Sequence, residues 1–226
     1  MKPITVTFFG DSICVGQYVS LHNGWVPRMS AKLSELGEVH GRRVIVGNAS
    51  ANGRTTRQAL EQMPYEIQSQ DIDILIVQFG MNDCNHWESD HGVPRVSERA
   101  FAANLEEIVA RAYRSGVGRV FLNTNHPTCR DTDALPGTMT SYEEWNQRYN
   151  NLIRETARRV GPPTKLNDVA RACQEFADGD HERLEQLVLP APDLVHLSEK
   201  GHDLYLSVVH PQLEAAVLEL FSTEAS

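Results

Sequence analysis

The chain has 226 residues, 41% of them hydrophobic and 23% charged, which suits one α/β domain built over a buried sheet. Its formal net charge of −9, with no basic cluster larger than the pairs Arg42-Arg43 and Arg158-Arg159, argues against binding a phosphate backbone. No stretch reaches the roughly 18 apolar residues of a membrane span or the roughly 7–15 of a secretory signal core, and Cys14, Cys84, Cys129 and Cys173 lack metal-site spacing, so a cytoplasmic chain with four free thiols is expected.

Ile4–Phe9 alternates apolar residues with threonines and stops sharply at Gly10, a first strand. Arg43–Asn48, around Val44-Ile45-Val46, is a second. Asp73–Phe79 is a third, and its unbroken Ile74-Leu75-Ile76-Val77 predicts burial on both faces. Phe101, Leu105, Ile108, Val109 and Ala112 then recur at helical spacing. Arg119–Thr124 is a fourth strand. Ser141-x-x-Glu144 has the spacing of a capping box and opens a helix with Trp145, Tyr149, Leu152 and Ile153 on one face. Thr164–Asn167 is a weaker fifth strand. After Ser198 a last helical pattern runs through Tyr205, Val208, Leu213, Val217 and Leu220, with Pro211 expected to kink or interrupt it. Strands alternating with helices predict a parallel sheet covered on both faces, with no repeat or linker to divide residues 1–226 into more than one domain.

In such folds ligands bind beyond the carboxyl ends of the strands. Gly10-Asp11-Ser12 follows the first strand, Asn52-Gly53 lies in the loop after the second, and Gly80-Met81-Asn82-Asp83 follows the third. Asp193-Leu194-Val195-His196 precedes the last helix. Acyl transfer needs a nucleophile, a base, a group to orient the base, and donors for a developing oxyanion. Ser12 on a turn entering a helix can present both its hydroxyl and its N–H, and a histidine exchanges protons near neutrality. Asp193, three residues before His196, can hold one ring nitrogen while the other faces Ser12. Gly53 can offer a bare N–H, and the Asn82 amide a further donor.

These four blocks, in this order, resemble the SGNH branch of the GDSL-type serine hydrolases over nearly the whole chain. The resemblance implies Ser12 as nucleophile, His196 as base and Asp193 as its orienter. It places the oxyanion hole at the Ser12 and Gly53 amides and the Asn82 side chain. It implies a flavodoxin-like three-layer α/β/α sandwich of about five parallel strands, working without metal or organic cofactor. Ile13 stands where leucine is commoner, and Leu194 where a small residue is frequent, which would narrow the pocket.

The expected reaction is hydrolysis of a carboxylic ester with a short acyl group through an acyl-serine. The substrate is a small-molecule or carbohydrate ester, with sugar O-acetyl esters favoured because Trp87 and Pro136 sit in the long loops Cys84–Val96 and His126–Thr140. Transfer of the acyl group to a sugar or other alcohol is the alternative. A non-catalytic nucleotide-binding module is disfavoured, because the first turn lacks Gly-x-Gly-x-x-Gly and a phosphate-loop lysine.

Asp11 and Asp83 are expected to brace turns through backbone amides. His202 is read as a packing or capping residue, His86, His91 and His126 as solvated loop histidines, and Arg54 and Arg57 as surface charges. Cys14, Cys84 and Cys129 are read as small wall residues rather than metal ligands.

Overall fold

A computed structural model describes residues 2–223. Five parallel strands, β1 (Ile4–Gly10), β2 (Val44–Asn48), β3 (Ile74–Gln78), β4 (Arg119–Asn123) and β5 (Lys165–Asn167), form one sheet in the order β2-β1-β3-β4-β5. Chain order therefore runs outward in opposite directions from the β1–β3 pair, whose register sets Phe9 beside Val77 and Gly10 beside Gln78. That pair is the topological switch point, where crossovers leaving on opposite sides open a crevice beyond the strand ends.

The nine α-helices among the described residues are α1 (Ser12–Val15), α2 (Trp25–Val39), α3 (Thr56–Met63), α4 (Met81–Cys84), α5 (Glu98–Arg114), α6 (Tyr142–Val160), α7 (Val169–Ala177), α8 (His181–Glu185) and α9 (Glu199–Thr223). The alternation of side chains along a strand sorts the sheet residues into two cores. Ile4, Val6, Phe8, Ile74 and Ile76 face α2 and α9, meeting Trp25, Met29, Tyr205 and Leu213. Phe9, Leu75 and Val77 face the other way, onto Met63 of α3, Phe101 and Ile108 of α5, and Tyr149 of α6. The apolar run Ile74–Val77 is buried throughout because each face of β3 feeds a different core. Helices on both faces make this a three-layer α/β/α sandwich.

All five members of the predicted α5 stripe are buried. Ser141 and Glu144 form the expected capping box: the Ser141 amide donates to Glu144 Oε2 at 2.8 Å and the Glu144 amide to Ser141 Oγ at 3.2 Å. Pro211 does not interrupt the last helix. The last helix runs unbroken from Glu199 to Thr223 with Pro211 inside it, because Val209 and Leu213 on either side are locked in the core. The helices α2, α7 and α8 have no counterpart among the predicted elements. In α2, a Val26–Met29–Leu33 stripe is present, but its start has no Ser, Thr, Asp or Asn cap. Its first amide instead donates to His202 Nδ1 at 3.3 Å, across 177 residues of sequence.

Candidate active site

Ser12 owes its position to the end of β1. A Cβ at Gly10 would lie 2.7 Å from the Gln78 carbonyl oxygen and 2.8 Å from Cys14 Sγ, so only glycine allows β1 and α1 to meet this closely. Asp11 then caps α1, its Oδ1 accepting from the Ile13 amide at 3.0 Å, and Gly16 ends the helix at φ +74°. Ser12 is thus the first helical residue at the switch point, buried, with its hydroxyl aimed at the last loop.

That loop supplies the other two groups. His196 Nε2 lies 3.0 Å from Ser12 Oγ, and its Nδ1 lies 2.8 Å from Asp193 Oδ2. Asp193 Oδ1 accepts from the Val195 amide at 2.9 Å and the His196 amide at 2.6 Å. Leu194, at φ +59°, makes the turn that lets both amides face one oxygen. Partial burial pushes the Asp193 carboxyl upward, but the His196 and Val195 hydrogen bonds outweigh it and hold the group below its usual range. An ionised Asp193 accepts Nδ1–H, which leaves the Nε2 lone pair for the serine proton.

Tyr18 had no distinguishing signal in the sequence. Its exposed ring stands edge-on to the His196 ring at 5.1 Å, and its backbone is held at φ +70°.

The donor side is built differently. Asn82, the second residue of α4, donates through Nδ2 to Asp11 Oδ2 at 3.3 Å, which aims its amide toward the Ser12 turn. Gly53 is exposed, at φ +74°, and is not among the residues lining the cleft. Arg95 ties the two together: one guanidinium nitrogen donates to Asn82 Oδ1 at 3.3 Å and the other to the Gly53 carbonyl at 3.2 Å. Trp87 lies flat against Arg95, with 4.6 Å between the guanidinium carbon and the ring centre. Trp87 therefore braces the donor side and does not line the cleft.

Two buried acids brace the turns, as expected. Burial raises the Asp11 carboxyl to about 7 and Asp83 to about 6. Asp83 Oδ1 accepts from the Thr56 amide at 2.9 Å and its hydroxyl at 2.5 Å, pinning α4 to α3. His202 caps α2 as described, and burial lowers it to about 4, so it stays neutral.

Several loop residues differ from expectation. His126 is fully buried behind the loop of residues 193–196, with Nε2 2.7 Å from the Val195 carbonyl, and burial lowers it to about 4. His86 is also buried, packed at 4.8 Å on Trp145, because the Cys84–Val96 loop folds inward over α6. His91 is exposed in a turn. Arg54 is no surface charge: it pairs in bidentate fashion with Glu66 at 2.7 and 2.8 Å and lies over the Phe9 ring. Arg57 is exposed. All four cysteines are free and buried, and burial pushes their thiols upward, to about 11 for Cys129 and about 12 for Cys173. Among the described residues, no group of three or more His, Cys, Asp or Glu side chains is placed to hold a metal ion.

Ser12, Asn82, Asp193 and His196 open together onto a cleft of about 600 Å³, which Tyr18 and Arg130 also line. Beside it lies a second cavity of about 450 Å³, and Asn85, Arg130, Tyr142 and Pro192 belong to both walls. Leu194 and Pro136 face this second cavity and not the Ser12 cleft, so Leu194 does not narrow the latter.

Among the described residues no helix is long and apolar enough to cross a membrane. The chain is 25% identical over 118 residues to an arylesterase of Vibrio mimicus, covering 52% of this chain and 53% of that one, so the match spans about half of the relative. It is 24% identical over 212 residues to the uncharacterized lipoprotein YqeF of Bacillus subtilis, covering 87% and 84%. The crystal structure of the acetyl xylan esterase AlAXEase superposes with a TM-score of 0.71 at 21% identity, over 91% of this chain and all of that one, a likeness of fold. The model of the GDSL-like lipase/acylhydrolase family matches residues 8–204, a span that takes in every block from Gly10-Asp11-Ser12 to His196. The chain therefore belongs to the GDSL-like lipase/acylhydrolase family.

Proposed function

We propose that the chain is a serine esterase that cleaves short-chain acyl esters, sugar O-acetyl esters among them, through an acyl-serine. The observation that carries this is the continuous line from Asp193 through His196 to Ser12, with links of 2.8 and 3.0 Å, opening onto the larger cleft. In this mechanism Ser12 Oγ attacks the ester carbonyl as its proton passes to His196 Nε2. The carbonyl oxygen becomes an oxyanion that the Ser12 amide, the Gly53 amide and Asn82 Nδ2 would stabilise. Collapse breaks the bond between acyl carbon and alcohol oxygen, and His196 returns its proton to that oxygen. Water, deprotonated by the same Nε2, then releases the acid and restores Ser12. The scheme draws on side chains and backbone amides of this chain alone, and no cofactor enters it.

An acetylated sugar suits the cleft because it is open and mixed in polarity. The names of the acetyl xylan esterase structures point the same way for those proteins. Four buried, unpaired thiols suit a cytoplasmic setting. A fluorophosphonate probe tests the nucleophile. Native protein is expected to be labelled and Ser12→Ala to be silent, with ester turnover down by about 10⁶. Equal labelling of the two would overturn the assignment.

A further inference from the structure

We propose that the second cavity is a subsite for the alcohol portion of the substrate, and that it takes an acidic sugar whose carboxylate pairs with Arg130. The inference rests on Ser12 being the reacting group, since it concerns what lies beside the ester during the reaction.

The segment carrying Arg130 is fastened on both sides. The Thr128 amide donates to Glu143 Oε2 at 2.6 Å, the Cys129 amide to the Leu194 carbonyl at 2.9 Å, and the Glu143 amide to the Arg130 carbonyl at 3.1 Å. The backbone of Arg130 is therefore fixed, yet its guanidinium has no ion-pair or hydrogen-bond partner among the described residues. Arg54 is paired with Glu66, Arg95 with Asn82 and Gly53, and Arg154 with Asp168, whereas Arg130 is exposed at the rim and keeps its guanidinium open to a ligand. Arg130 stands where the two cavities meet, so a ligand with its ester at Ser12 and its ring in the second cavity must pass it. In a chain of net charge −9, an unpaired cation at that junction selects for an anion.

His86 supplies an independent sign that the cavity expects a polar guest. It is 3% exposed, it lines the second cavity, and among the described residues neither ring nitrogen makes a hydrogen bond of ordinary geometry, only weaker approaches to the Gly92 and Cys84 backbone. Burial lowers its pKa, so near neutrality it offers one donor and one acceptor. A buried group left in that state is costly unless a ligand meets it. A hydroxyl both donates and accepts, and can satisfy either nitrogen. Asp133 and Thr132 on the same wall add hydroxyl partners, while Leu135 and Pro136 give an apolar floor for the face of a ring. A cation on a fixed backbone, a neutral imidazole, an acceptor carboxylate and an apolar floor together describe a polyhydroxy acid better than a neutral sugar or an alkyl alcohol.

The test compares O-acetylated methyl glucuronoside with O-acetylated methyl glucoside. Native protein is expected to favour the acidic substrate in kcat/KM by about 10- to 100-fold, the worth of one charge-assisted hydrogen-bonded pair. Arg130→Gln should collapse that ratio toward 1, and 0.5 M salt should shrink it partway. Binding of free glucuronate and glucose to the Ser12→Ala protein, followed by ligand-observed NMR, reads the subsite without the reaction. Equal kcat/KM for both esters in the native protein, or a ratio that survives Arg130→Gln, would overturn the proposal. Glucuronate binding that persists without turnover of any ester would instead indict the serine mechanism and leave the subsite standing.

Discussion

The two walls of the cleft are held in contrasting ways. On the base wall, Asp193 fixes His196 within four residues of sequence, through two amide hydrogen bonds and one to the ring. On the donor wall, Asn82 is tied to Asp11, 71 positions away, and through Arg95, 13 positions away, to the Gly53 carbonyl. The base wall is self-contained and short-bonded. The donor wall is a set of contacts of 3.2 to 3.3 Å whose geometry depends on three separate loops. A locally braced group survives changes elsewhere, whereas a group braced at long range inherits every shift of its supports.

Substitutions can break this contrast, and the largest expected effect is on the base wall. Asp193→Asn removes the charge that favours Nδ1–H and should lower kcat by about 10³ to 10⁴. Hydrolysis of a p-nitrophenyl acetate series measures it, and a loss under tenfold would show that Asp193 is only a turn residue. Asn82→Ala should lower kcat by about 10² to 10³ with KM nearly unchanged, since its donor serves the transition state.

Arg95→Met is expected to lower kcat about tenfold by loosening the donors without removing one. Arg95→Lys, a point charge that cannot bridge both acceptors, should recover little of that loss. If Arg95→Met left kcat intact while only the melting temperature fell, Arg95 would be a structural tie alone.

The smallest effect is on stability against pH. Asp11 and Asp83 are raised to about 7 and 6, so their contribution is full below the unfolded value near 3.8 and is lost as pH rises through 6 and 7. His126 and His202, lowered to about 4, act in the opposite sense: their contribution is full above 6.5 and is lost as pH falls toward 4. Between pH 4 and 6 the pairs offset, predicting a flat profile. Asp11→Asn should tilt that profile so that melting temperature drops more steeply on acidification.

Much of this molecule was legible in one dimension. The run Ile74–Val77 announces a strand buried on both faces because successive side chains must enter opposite cores. The α5 stripe and the Ser141 capping box are local periodicities that packing only ratified. Ser12, Asp193 and His196 were nameable because their partners are either adjacent or follow strand ends. By contrast α2 was hidden, since its cap is His202 from the far end of the chain. Arg54, His86 and His126 look like surface residues in the sequence, because burial of a polar group depends on which distant loop closes over it.

Sequence by itself therefore determined the parallel α/β plan and the chemistry available at the strand ends, both consequences of short-range periodicity and residue type. Tertiary structure alone decided that Arg95 spans the donor wall, that Tyr18 leans on His196, and that Arg130, unpaired among the described residues, stands between two cavities. These depend on which loops meet above the β1–β3 crevice, and loop convergence is set by the packing of whole layers, which no local pattern encodes.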